Sequence, residues 1–108
     1  KEKRLPWDTA KGFDASAPIS ELVPAAQASL AAGTLLSLQV NGETRQQAAL
    51  GDMIFSVTDI LIELSKLFRL QAGDLIFMGT PAGVAALQRG DRFHAELSGI
   101  IDFHGTLV

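Results

Sequence analysis

At 108 residues the chain is one domain at most, with room for a single modest hydrophobic core. A hydrophobic content of 47% against 19% charged residues excludes a disordered chain, and a net charge of −3 gives no electrostatic reason to expect nucleic acid or an anionic membrane as partner. The absence of Cys removes disulfides, thiolate metal sites and cysteine nucleophiles together, and no apolar run approaches the roughly 18 residues of a membrane span, so a cytoplasmic protein is expected.

The numbering opens on Lys1-Glu2-Lys3-Arg4 without a Met, a charged start running into Pro6. It reads as a solvated end, in the style of a helix tail cut from something longer; processing of a start Met would give the same result. Trp7, the only Trp, is expected to cap the edge of the core rather than to bind a ligand. Lys11 stands between Ala10, Gly12 and Phe13. Read alone it is a surface lysine, although such neighbours would also suit an inward ammonium that finds a partner. Pro18 and Pro24 punctuate residues 14–24 as extended chain, and residues 25–33 read as a connecting loop or a single helical turn.

Residues 35–40 form a strand, Asn41-Gly42 is a type I′ hairpin signal, and residues 43–48 return as a second strand. That returning strand is polar, which places Gln46 and Gln47 on a solvated ladder. Residues 56–68 are the one long helix. Ser56 and Asp59 have capping-box spacing, and Val57, Ile60, Leu61, Leu64, Leu67 and Phe68 make one apolar stripe expected to face the core. Gly73-Asp74 then turns the chain into Leu75, Ile76, Phe77 and Met78, a run that reads as a strand buried on both faces. Gly79-Thr80-Pro81-Ala82-Gly83 follows. Gly79 and Gly83 permit positive φ or close backbone approach, and Pro81 keeps Thr80 out of the helical region. By itself the loop is as well read as a structural turn as it is a ligand contact.

Beyond the turn at Gln88-Arg89-Gly90-Asp91, residues 92–98 and 101–108 alternate as a hairpin. If Gly99-Ile100 forms its turn, His94, Glu96, Asp102 and His104 share one face. Two His and two carboxylates are legitimate metal ligands, but the polar face of an alternating hairpin accounts for them without a metal. Pattern alone therefore gives an α+β class built from a meander of hairpins.

Four ordered segments carry a resemblance. They are Trp7 to Asp14 followed by Ala17-Pro18-Ile19, Val40-Asn41-Gly42-Glu43 with Arg45-Gln46, Leu64-Ser65 leading to Gly73-Asp74, and the apolar run into Gly79-Thr80-Pro81-Ala82-Gly83-Val84. Together they resemble the fumarylacetoacetate hydrolase family, in the style of the small bacterial acylpyruvate hydrolases and oxaloacetate decarboxylases. The resemblance spans nearly the whole chain but only the C-terminal portion of the family's catalytic domain. It implies a β-rich roll or sandwich with the helix on one side, and it makes residues 1–108 a fragment of a single domain.

The resemblance also implies chemistry. Family enzymes use Mg or Mn to act on β-dicarbonyl acids through a stabilised enolate, by cleaving a carbon–carbon bond, releasing a carboxylate or shifting a double bond. It assigns Lys11 a catalytic role beside the substrate's oxo and carboxylate oxygens. Thr80 and Gly79 become substrate-binding residues, and the final hairpin receives no ligand. The family's metal carboxylates, a Glu-x-Glu and an Asp, lie upstream of the matching segment, as do its lid His and Glu. This chain has no Glu-x-Glu, and the only acid ahead of Trp7 is Glu2. No metal site is therefore expected within this chain, and no tightly bound cofactor on it alone.

Two functions stay open from the sequence. One is an enzyme of this family acting on a small oxo acid, as a homodimer or in association with the missing N-terminal part. The other is a non-catalytic domain of the same fold that binds small carboxylates or a partner protein.

Overall fold

The computed structural model describes residues 12–108. Four strands, β1 (Leu35–Val40), β2 (Glu43–Ala49), β3 (Arg92–Leu97) and β4 (Ile101–Thr106), form one antiparallel sheet in the order β2-β1-β3-β4. One helix, α1 (Val57–Leu67), lies between β2 and β3 in sequence, and single 3-10 turns occupy Ala25–Gln27 and Leu50–Asp52. The α+β class with one main helix is as expected.

Both hairpins form where the sequence places them. Asn41 and Gly42 each take positive φ, 53° and 84°, the requirement of a type I′ turn. The Asn41 side chain then ties this turn to the start of β3. Its Nδ2 donates to Asp91 Oδ1 at 2.9 Å, and its Oδ1 accepts from the Arg92 amide at 2.9 Å. Asp91 also accepts from the Gln88 amide at 2.8 Å. The Gln88 amide first, and the Asn41 amide second, hold the Asp91 carboxyl below the ordinary carboxylate range.

The register gives the sheet two unlike faces. Leu36, Leu38 and Val40 of β1 stand opposite Leu97, Ala95 and Phe93 of β3, which in turn oppose Ile101, Phe103 and Gly105 of β4. Phe93 lies over Gly105 and meets Phe103 edge-on, with ring centroids 5.5 Å apart. Ser37, Gln39, His94, Glu96, Asp102 and His104 share the opposite face.

α1 begins at the expected cap. Ser56 Oγ accepts from the Asp59 amide at 3.1 Å while Asp59 Oδ2 accepts from the Ser56 amide at 3.1 Å and its hydroxyl at 2.6 Å. The Ser56 hydroxyl, followed by its amide, lowers the pKa of Asp59.

Two expectations about burial are corrected. Val40 is the one buried hydrophobic residue among those described, and the apolar stripe of α1 is not core. Val57, Leu61, Leu67 and Phe68 are exposed, while Ile60 and Leu64 are half-buried. Close backbone approach between described elements is concentrated in the sheet's own neighbours. Leu64 and Phe68 instead share an open hollow with Leu70, Leu75, Ile76 and Phe77. The period of the stripe was legible, but no described element lies over it.

The run Leu75, Ile76, Phe77 and Met78 is not a strand of the described sheet and is not buried on both faces. Its burial alternates, with Leu75 and Phe77 exposed by 55% and 75% and Ile76 and Met78 half-buried. A strand needs a neighbour's backbone, and none of the four described strands pairs with this run.

Candidate functional site

The site is built where the 79–83 loop meets an irregularity in β2. Pairing of β1 with β2 shifts register between Leu38 and Gln39. Leu38 opposes Gln46 and Gln39 opposes Thr44, so Arg45 is left as the extra residue of a β-bulge. The bulge and the loop are in close contact. Gly83 has φ of 100°, and a Cβ there would fall on the Arg45 carbonyl oxygen, with Gln46 Cγ 3.3 Å away. Gly79 has the same φ but faces open space. Both glycines thus adopt the positive φ that their positions suggested, and at Gly83 the close approach is to backbone.

Gln46 secures the other side of the loop. Its Nε2 donates to Thr80 Oγ1 at 2.9 Å and to the Pro81 carbonyl oxygen at 2.7 Å. The expectation that Gln46 is a surface ladder residue is therefore corrected. It opposes Leu38, on the apolar side of the sheet, and is half-buried, whereas Gln47 opposes Ser37 and is exposed. A signal was present in the strand: Gln46 has the parity of Ala48, two residues on, which marks the inward face. The loop's 34-residue separation from Gln46 hid the reason for a polar residue there.

Thr80 itself is exposed, with Pro81 half-buried beneath the same amide. Among the described residues its hydroxyl accepts one hydrogen bond and donates none. A hydroxyl held by its acceptor side and open on its donor side suits an anionic oxygen. Lys11, the candidate catalytic residue, lies outside the described residues.

The hairpin face is as the alternation suggested. His94 is directly opposite His104, and Glu96 opposite Asp102. His94 Nε2 and Asp102 Oδ2 pair at 2.9 Å. Among the described residues no group of three or more His, Asp or Glu is arranged to hold a metal ion. No described helix is long and apolar enough to cross a membrane.

Known proteins match this chain in sequence and in fold. Residues 1–108 match the family described as Fumarylacetoacetate (FAA) hydrolase C-terminal. The chain is 44% identical over 100 residues to the oxaloacetate tautomerase YcgM of Escherichia coli (strain K12), covering 92% of this chain and 46% of that protein. It is 36% identical over 107 residues to a fumarylpyruvate hydrolase of Ralstonia sp, covering 99% of this chain and 55% of the relative. Its fold superposes with a TM-score of 0.91 on the crystal structure of fumarylpyruvate hydrolase from Pseudomonas aeruginosa in complex with Mn2+ and pyruvate, at 41% identity, over 99% of this chain and 46% of that one. The chain spans about half the length of the curated relatives it matches.

Proposed function

Because the chain belongs to the fumarylacetoacetate hydrolase family, we propose that it forms the carboxylate-holding side of an active site for small 2-oxo acids, in an enzyme that generates an enolate beside the oxo group. Tautomerisation of oxaloacetate and hydrolysis of an acylpyruvate both pass through that charge, and the named relatives divide between these two reactions. The observation carrying the reading is the Thr80 hydroxyl, exposed at the tip of a loop latched to β2 through Gln46 and Gly83. In this reading the hydroxyl and the neighbouring amides at Gly79 and Thr80 donate hydrogen bonds to the substrate carboxylate, fixing which end of the acid enters.

The same proposal assigns Lys11 to the oxo end of the substrate. Its ammonium stabilises negative charge as it grows on the oxo oxygen and need not move a proton. The Mn2+ and pyruvate bound to the Pseudomonas relative support a divalent ion, Mn2+ or Mg2+, and an oxo acid in the complete protein. The described residues do not fit that ion, since they offer no three-ligand group, so the roles assigned to this chain are those of its own side chains and amides. A cytoplasmic setting, and a homodimer or association with the remainder of the catalytic domain, belong to the same proposal. The exposed stripe of α1 supports the association.

Steady-state kinetics on a complete protein carrying this chain, with oxaloacetate and with an acylpyruvate, tests the roles. Thr80→Val removes a contact present in both ground and transition states, so KM rises more than kcat falls. Lys11→Ala removes charge stabilisation that strengthens along the reaction, so kcat falls by roughly two to three orders of magnitude. Lys11→Arg does not restore it, because a planar guanidinium cannot replace a compact ammonium. A Lys11→Ala kcat within about threefold of wild type on the substrate that is turned over returns Lys11 to the surface. Pyruvate binding with turnover of neither substrate favours the non-catalytic carboxylate-binding domain.

A further inference from the structure

We propose that Gln46 is a positioning residue that orients the Thr80 hydroxyl, turning its hydrogen outward as a donor toward an anionic oxygen. The inference rests on the oxo-acid reading above and adds the residue that makes the loop selective for anions. The orientation originates at Pro81. The Pro81 carbonyl oxygen can only accept, and it lies 2.7 Å from the Gln46 amide, so the group presented to it must be the NH2. The reverse amide orientation would set two carbonyl oxygens against each other.

With the NH2 fixed by Pro81, its second hydrogen points at Thr80 Oγ1, 2.9 Å away. Both donors of the Gln46 amide are then used, one on each acceptor. The Thr80 oxygen receives a hydrogen on its inner side, so its own hydrogen must turn elsewhere. No described residue accepts it. The oxygen keeps a second lone pair, but its one hydrogen is turned outward, where it can donate to a carboxylate oxygen. Polarity is thereby transmitted from a backbone carbonyl, through a side-chain amide on the apolar side of the sheet, to the tip of the loop.

The bulge makes this possible. Gln46 shares its face with Leu38 and Ala48, where a carboxamide left unpaired would be costly. The loop satisfies it, and the Gly83–Arg45 approach holds the loop close enough to do so. Glu at position 46 would invert the chain of donors, and Met would abolish it while preserving most of the side chain's length.

The test uses amide spectra of a complete protein carrying this chain, with pyruvate as the probe in the presence and absence of Mn2+. In the ligand-free protein, Thr80→Val is expected to shift the Gln46 carboxamide proton that faces Oγ1 and to leave its geminal partner, bound to Pro81, largely in place. Unchanged Gln46 signals overturn the proposal. In pyruvate titrations followed at residues 79–83, Gln46→Met is expected to weaken binding about five- to tenfold, and Thr80→Ser to retain it within about threefold. Placed on Thr80→Val, Gln46→Met is expected to cost less than about twofold more, because Gln46 acts through the hydroxyl that is already gone. Independent, multiplicative losses overturn the proposal by giving Gln46 a separate role. Should pyruvate leave residues 79–83 of the wild type undisturbed under both conditions, the oxo-acid reading fails and the anion end of the relay falls with it. The ligand-free spectra still decide the Gln46–Thr80 contact separately.

Discussion

Replacing Gly83 by Ala separates the loop's latch from its backbone strain. At φ of 100° an L residue carries roughly 1–3 kcal/mol of strain. At Gly83 the added methyl also falls on the Arg45 carbonyl oxygen, an obstacle made of backbone rather than the flexible end of a side chain. Arg45 belongs to β2, which is held along its length by its ladder to β1, so the loop is the part that yields. Lifting the loop removes the overlap but loses the two hydrogen bonds from Gln46, each worth about 0.5–1.5 kcal/mol net. Release thus limits the cost of the overlap to about 1–3 kcal/mol, added to the φ strain, with the sheet intact. Gly79→Ala is the matched control, having the same φ in open space. Urea unfolding monitored by circular dichroism gives the two costs, and the Gln46 carboxamide signals report the latch. Both variants should lose stability, and only Gly83→Ala should free the Gln46 amide. If Gly83→Ala leaves those signals in place and costs no more than Gly79→Ala, the docking of the loop on the bulge is wrong.

Other outcomes follow from the same structure. Asp91 has its carboxyl held below 3.8, so its contribution is present above that value and disappears as pH falls through the lower folded-state pKa. Asp91→Asn should flatten the acid limb of a stability profile below about pH 4, and an unaltered limb counts against the hydrogen bonds that Asp91 accepts from Gln88 and Asn41. Ser56→Ala removes the capping hydroxyl of α1 and should cost about 1 kcal/mol in urea unfolding; a neutral result would mean that α1 contributes little to the cooperative unit. Calorimetric titration of the 108-residue chain with Mg2+ or Mn2+ should show no tight binding, and a low-micromolar Kd, at about −8 kcal/mol, would direct attention back to His94, Glu96, Asp102 and His104. The exposed stripe of α1 with Phe77 and Leu75 should make the chain self-associate as concentration rises. Sedimentation as a clean monomer at high concentration would refute that.

Local rules were enough for much of the fold. The Asn41-Gly42 turn, the Ser56 cap and the alternation of β3 and β4 depend on neighbours within a few residues, so they could be read directly from the chain. The four motif segments identified the family, because their order and spacing are properties of sequence. Burial was different. The stripe of α1 and the run from Leu75 to Met78 show which side is apolar, but the element that would cover each is not encoded in the segment itself. Gln46 is the sharpest case. Its neighbours describe a polar strand, whereas the bulge at Arg45 and a loop 34 residues further on give it two acceptors on the apolar side of the sheet. The sequence determined the donors, acceptors and glycines, and only tertiary structure decided which of them meet, because hydrogen bonds act across a few ångströms of space regardless of separation along the chain.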